Sequence, residues 1–302
     1  VDPSAATDVP DETGVGPVRP AWRAALFTGV VFCLLSMSGM QIGSALSTGV
    51  VGAFGTFATS FLRLLFAALI LLAILRPPVR TYSRAQWKSA ILLGIAIAAV
   101  TVCFYAAILR IPLGLTVAIE FLGPLAVATF GGLTGRRLAW PIAALAGVVL
   151  LSHDGESWTG DPAGLLLAAG AAIGWGAYIV LMKKTGRLLP GLEGLAIALL
   201  VAAGVCAPAA VAQLPQMMLP GVLSTMLGLA VLMPLLPYVL EMIALRRMPT
   251  AAFGILMSLE PAIGALAGFV ILGQAMTALQ MLGTALVVAA SAGVTAAVRP
   301  EA

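Results

Sequence analysis

Residues 84–133 read RAQWKSAILLGIAIAAVTVCFYAAILRIPLGLTVAIEFLGPLAVATFGGL. Two apolar runs, at about 89–109 and 113–133, each have the length a helix needs to cross a bilayer, roughly 20 residues, and only Arg110, Ile111 and Pro112 separate them. The stretch is a membrane hairpin whose second arm carries a carboxylate, Glu120, just ahead of a helix-breaking Pro124. Carrying the same criterion outward adds apolar segments at about 24–46, 51–75, 139–152, 162–182, 191–213, 222–244, 250–272 and 277–297, which makes ten spans in all. The composition agrees: 61% of the 302 residues are hydrophobic, 9% are charged, and the mean hydropathy is +1.08. No soluble domain of any size fits between the spans. The chain also lacks a G-x-x-x-x-G-K-[ST] phosphate cradle, which excludes transport driven by ATP bound at such a motif.

Charge placement orients the spans. With ten of them, 14 of the 16 Lys and Arg residues fall on one side, among them Arg80, Arg84, Lys88, Lys183, Lys184 and Arg187. The exceptions are Arg110, in an opposite loop, and Arg63, inside a span. The basic side is cytoplasmic by the positive-inside rule, so both termini are expected there. Residues 1–22, with Asp2, Asp8, Asp11 and Glu12 among Pro and Gly, read as a disordered cytoplasmic tail. Residues 299–302 read as a short C-terminal tail.

A weak internal repeat appears at an offset of 137 residues, which superposes Pro112 on Pro249, Arg110 on Arg247, Pro124 on Pro261 and Gly39 on Gly176. Residues 23–152 and 153–298 are then two five-helix units. Because five is odd, the second is inverted relative to the first, a plan of secondary transporters with the substrate held near the midplane where the halves meet.

Few residues inside the spans can carry chemistry. Arg63, Glu120, Glu241 and Glu260 are formally charged there, and each must face protein or a cavity. Arg63 reads as a structural clamp or ion pair, holding a carboxylate or carbonyls. Glu260 shares a face with Gly264 and Gly268, and Pro261 has no N–H for the carbonyl of Met257. Glu120 shares a face with Thr116 and Gly123. Glu241 lies near the cytoplasmic end, within reach of Arg246 or Arg247, with Tyr238 one turn before it. Ser38, Gln41 and Ser44 form a polar stripe that lipid would penalise. Trp175, Tyr178, Phe104 and Tyr105 are candidate substrate contacts, although packing is the commoner role of aromatics within spans. The glycine pairs 39/43, 170/174 and 264/268 read as helix contacts. Cys33, Cys103 and Cys206 read as small core residues, and His153 beside Asp154 and Glu156 reads as part of an outer loop. With no G-x-S-x-G or H-E-x-x-H pattern and no metal-ligand cluster, neither an enzyme nor a metal or other cofactor is expected.

Two segments, IPLGLTVAIEFLGP at 111–124 and LPYVLEMIALRRMPTAAFGILMSLEP at 236–261, resemble EamA-like carriers of the drug/metabolite transporter superfamily, in particular the bacterial threonine and homoserine exporters among them. The likeness extends loosely over residues 24–298, and Arg63 stands where those exporters have a second-span arginine. A Trp-bearing motif frequent early in the family's repeats occurs at Gly174, Trp175 and Gly176 but not at Ser38. The resemblance implies an all-α protein of ten transmembrane helices, arranged as two inverted five-helix repeats around a cavity formed mainly by spans three, four, eight and nine. It implies export of small amino acids across the bacterial inner membrane by alternating access, with Glu120, Glu241 and Glu260 receiving a substrate ammonium or a coupling proton. The expected partners are thus a small-molecule substrate, protons and the lipid bilayer, not nucleic acid. A carrier of another metabolite or drug is the alternative within transport, and a non-transporting membrane enzyme or sensor the alternative outside it.

Overall fold

A computed structural model describes residues 20–130, 139–153, 161–245, 247–248 and 250–297. Residues 1–19 and 298–302, Arg246, Pro249 and the side chain of Tyr238 lie outside the described residues. The architecture is all-helical. In the first half lie α1 (Pro20–Phe54), α2 (Thr56–Leu75), α3 (Arg84–Ile108), α4 (Leu113–Glu120), α5 (Leu122–Phe130) and α6 (Ala139–Leu151). The second half contains α7 (Pro162–Leu188), α8 (Glu193–Ala210), α9 (Leu214–Met217), α10 (Pro220–Ala230), α11 (Leu236–Leu245), α12 (Thr250–Met257), α13 (Glu260–Leu272) and α14 (Ala278–Ala297). Among the described residues, seven helical stretches are long and apolar enough to cross a membrane, and three shorter apolar ones, Leu113–Val127, Ala139–Leu151 and Ala278–Val294, accompany them.

Local chemistry sets the ends. The chain turns from α1 into α2 on Gly55 alone, at φ +81, a conformation that glycine adopts without a Cβ clash. Ser83 and Gln86 close a reciprocal capping box at the start of α3. Asp161 accepts the Gly164 N–H at 3.1 Å ahead of α7, with Pro162 in the first turn where a missing N–H costs nothing.

Interruptions matter more than ends. The fourth apolar segment is broken at Phe121, between α4 and α5, and the ninth at Ser258 and Leu259, between α12 and α13. In each case a proline three residues past the break, Pro124 or Pro261, withholds an N–H from the carbonyl four residues earlier. The eighth segment, read from the sequence as one run, is also broken. Residues 231–235 between α10 and α11 form a widened turn in which Met233 leaves helical geometry at φ −155, ψ 116, directly before Pro234.

α3 packs on α7 and α8, α2 on α8, α1 on α11 and α13, α4 on α13 and α7, α5 on α7, α10 on α2, and α6 on α14. Glycines allow the closest approaches. A Cβ at Gly123 of α5 would stand 2.1 Å from the Ala172 carbonyl oxygen of α7. In α6 and α14 the arrangement is reciprocal: a Cβ at Gly147 would meet the Gly283 oxygen at 2.7 Å, and one at Gly283 the Gly147 oxygen at 2.6 Å. The main apolar core lies between α2, α3 and α8, where Leu64, Leu71, Leu93, Leu195, Leu199 and Cys206 are buried. Leu166, Ile173 and Val180, one stripe of α7, are exposed as a lipid-facing surface requires.

Candidate functional site

The helices enclose a cavity of ≈ 160 Å³. Met40, Gln41 and Ser44 of α1, Arg63 of α2, Thr101, Phe104 and Tyr105 of α3, Glu120 of α4, and Trp175 and Tyr178 of α7 line it. The remaining wall includes Met233 and Pro234 at the break, Glu241 of α11, Met257 and Glu260. The structure therefore brings together all four charged residues singled out within the spans, along with Gln41, Tyr105 and Trp175. A cavity of about 150 Å³ holds a six-carbon aromatic ring, so the space suits a solute of a few heavy atoms.

Glu260 stands in the first turn of α13 and is 4% exposed. The Gln41 amide donates to one of its oxygens at 3.2 Å, while the other oxygen and the Gln41 carbonyl have no partner among the described residues. Gly264, one turn on, makes room for this pair, since its Cβ would stand 3.3 Å from the Gln41 oxygen. A buried carboxylate with a single neutral partner is poised for a cationic guest. Glu120, at the last residue of α4, meets the cavity beside the interruption, where Trp175 packs edge-on against Phe121 with ring centroids 5.6 Å apart.

Glu241 forms no ion pair with an arginine among the described residues, outside which Arg246 lies. It accepts from Ser36 at 2.8 Å and faces the cavity, and Arg247 lies over the Phe32 ring instead. Ser36→Ala is expected to lower stability by about 1.5–3 kcal/mol, the value of a hydrogen bond to a charged acceptor. A thermal melt of the purified protein checks this.

Arg63 is 3% exposed and forms no ion pair among the described residues, where the one salt bridge joins the half-exposed Arg110 and Asp161 at 3.5 Å near the α3–α4 and α6–α7 connections. The expected clamp is made with neutral acceptors instead: the Met233 carbonyl at 2.8 Å, the Ser47 hydroxyl at 3.3 Å and the Tyr105 hydroxyl. The guanidinium also lies 4.8 Å from the centroid of the Tyr105 ring. Met233 gathers further contacts, its sulfur accepting from Ser44 at 3.2 Å and from Tyr105 at 3.4 Å. Sequence reading missed Ser36, Ser47, Thr101 and Met233. Ser36 and Ser47 are eleven residues apart, three helical turns, so they extend the polar face of Gln41 and Ser44. Ser38 stands partly exposed beside this face, off the cavity wall.

The profile of the EamA-like transporter family matches residues 162–296. The threonine/homoserine exporter RhtA of Salmonella typhimurium (strain LT2) is 35% identical over 274 residues, covering 90% of this chain and 92% of that protein. RhtA of Escherichia coli (strain K12) matches with the same identity and coverage. One solved crystal structure shares the fold at a TM-score of 0.63 and 20% identity, covering 91% of this chain and 99% of the other.

Proposed function

Since the chain belongs to the EamA-like transporter family, we propose that it exports small amino acids of the threonine and homoserine kind across the bacterial inner membrane, working by alternating access. The observation that carries this reading is the cavity itself. Three carboxylates, an arginine and two aromatic side chains on α7 converge on a space of ≈ 160 Å³ beside interrupted helices. Buried charges of this kind mark substrate and ion pathways in membrane proteins.

Alternating access needs two halves that can exchange roles. We read the ten apolar segments as ten spans forming two inverted five-helix repeats, 23–152 and 153–298, with both termini cytoplasmic. The helix pairing supports this reading. Exchanging the first five segments for the last five turns α3–α7 into α11–α1 and α3–α8 into α10–α2, while α2–α8, α4–α13 and α6–α14 map onto themselves. The interruptions at Phe121 and Ser258 also stand 137 residues apart, the offset of the sequence repeat. Glu120 and Glu260 are assigned to the substrate ammonium and the coupling proton, with Gln41, Tyr105, Trp175 and Glu241 completing the wall.

The test is counterflow of labelled threonine and homoserine in liposomes holding the purified protein. Saturable flux, blocked by excess unlabelled amino acid and accelerated by an imposed pH gradient, is expected. Flux equal to that of empty liposomes, with the protein shown folded, overturns the reading. Saturable flux indifferent to the gradient removes the proton from it and leaves the exporter.

A further inference from the structure

Arg63 carries a full positive charge into the protein interior and, among the described residues, meets only neutral acceptors there. Burying a cation without an anion is costly, and hydroxyls and one carbonyl offset that cost only in part. A guanidinium has five N–H donors. Three are used, two from Nη1 toward Ser47 and Tyr105 and one from Nη2 toward the Met233 carbonyl. Nε–H has no partner among the described residues, so the guanidinium keeps donor capacity unspent beside the cavity it lines. The cavity does contain carboxylates, on α4, α11 and α13, yet none of them pairs with Arg63 among the described residues. Its lining thus holds positive and negative groups apart instead of neutralising them against each other.

Building on the exporter reading above, we propose that Arg63 binds the carboxylate of the transported amino acid while the glutamates take its ammonium, so that the carrier selects zwitterions and rejects amines that lack a carboxylate. A ligand with both charges completes the missing ion pair at each end of the site. The small volume confines it, since a short amino acid fills a space that a larger zwitterion would overrun. Tyr105, stacked under the guanidinium and bonded to it, holds the fork in place and acts as a positioning residue.

The experiment compares threonine and homoserine with threoninol and threonine methyl ester, which keep the ammonium and lose the carboxylate charge. The readout is the concentration of each that half-saturates thermal stabilisation of the purified full chain. Wild-type protein is expected to need at least tenfold more threoninol or ester than threonine. Arg63→Gln is expected to weaken threonine to the level of threoninol and leave threoninol unchanged, and Arg63→Lys to keep the preference. Equal half-saturation by threonine and threoninol in the wild type overturns the proposal and leaves the exporter reading standing. Stabilisation by none of the amino acids overturns the exporter reading itself. Weakening of every ligand by one common factor in Arg63→Gln makes Arg63 a structural clamp and also overturns the proposal. If Arg63→Gln does not fold, the wild-type comparison decides alone.

Discussion

Glu260→Gln should lower amino-acid flux about 100-fold, the effect of removing one partner from a buried ion pair worth roughly 3 kcal/mol. The substitution keeps the shape of the side chain, and its amide oxygen can still accept from Gln41, so the fold should survive. What disappears is the negative charge in the first turn of α13, the position from which a carboxylate attracts an ammonium or carries a proton. The same change should flatten the response of flux to a pH gradient. Glu120→Gln should reduce flux in the same direction. If both variants transported at wild-type rates with an unchanged pH dependence, the assignment of the two glutamates would fail, whatever the substrate.

Gly123→Ala should produce the largest loss of stability among single small substitutions. The added carbon would lie 2.1 Å from a backbone oxygen of α7, and no rotamer change can move a backbone atom aside. Separating α5 from α7 should cost about 3 kcal/mol, the upper part of the overpacking range. In a chain of this size that corresponds to a fall of roughly 5 °C in Tm. Gly204→Ala in α8 is the control, since nothing lies within 4 Å of its Cβ position. That variant should be neutral or gain about 0.5–1 kcal/mol from the better helix former. Two thermal melts in detergent decide the point; equal Tm values would mean that α5 and α7 yield to each other.

The seven long apolar helices among the described residues were legible because bilayer thickness imposes a length on an apolar run, and Pro124 and Pro261 announced two of the breaks through the N–H they lack. The break in the eighth segment was not. Pro234 lies inside an apolar run, and hydropathy does not distinguish a kinked helix from a straight one. The charged residues of the cavity were legible for a related reason: burying Arg63, Glu120, Glu241 or Glu260 against lipid is so costly that a protein interior had to receive them. What those groups bond to was less visible. The principal acceptor of Arg63 is the carbonyl of Met233, and a main-chain oxygen leaves no mark on a sequence. Glu241 lies within reach of Arg246 or Arg247 along the chain, and the structure adds a hydrogen bond from Ser36, far away in sequence. A contact between helices far apart in the chain leaves no such mark on a sequence.

The reciprocal glycine contact of α6 and α14 bears on motion. Two helices whose backbones approach at Gly147 and Gly283, each close to the other's carbonyl, with Val287 against Gly147 and the Trp140 ring against Gly293, interlock so closely that sliding by one residue would drive a larger side chain into a peptide oxygen. The pair is therefore expected to move as one body. The alternating-access proposal then places its rearrangement in the helices around Met233 and the two proline breaks. Spin labels placed on α6 and α14 should keep a single narrow distance in every ligand condition, while labels on α3 and α11 should redistribute between two.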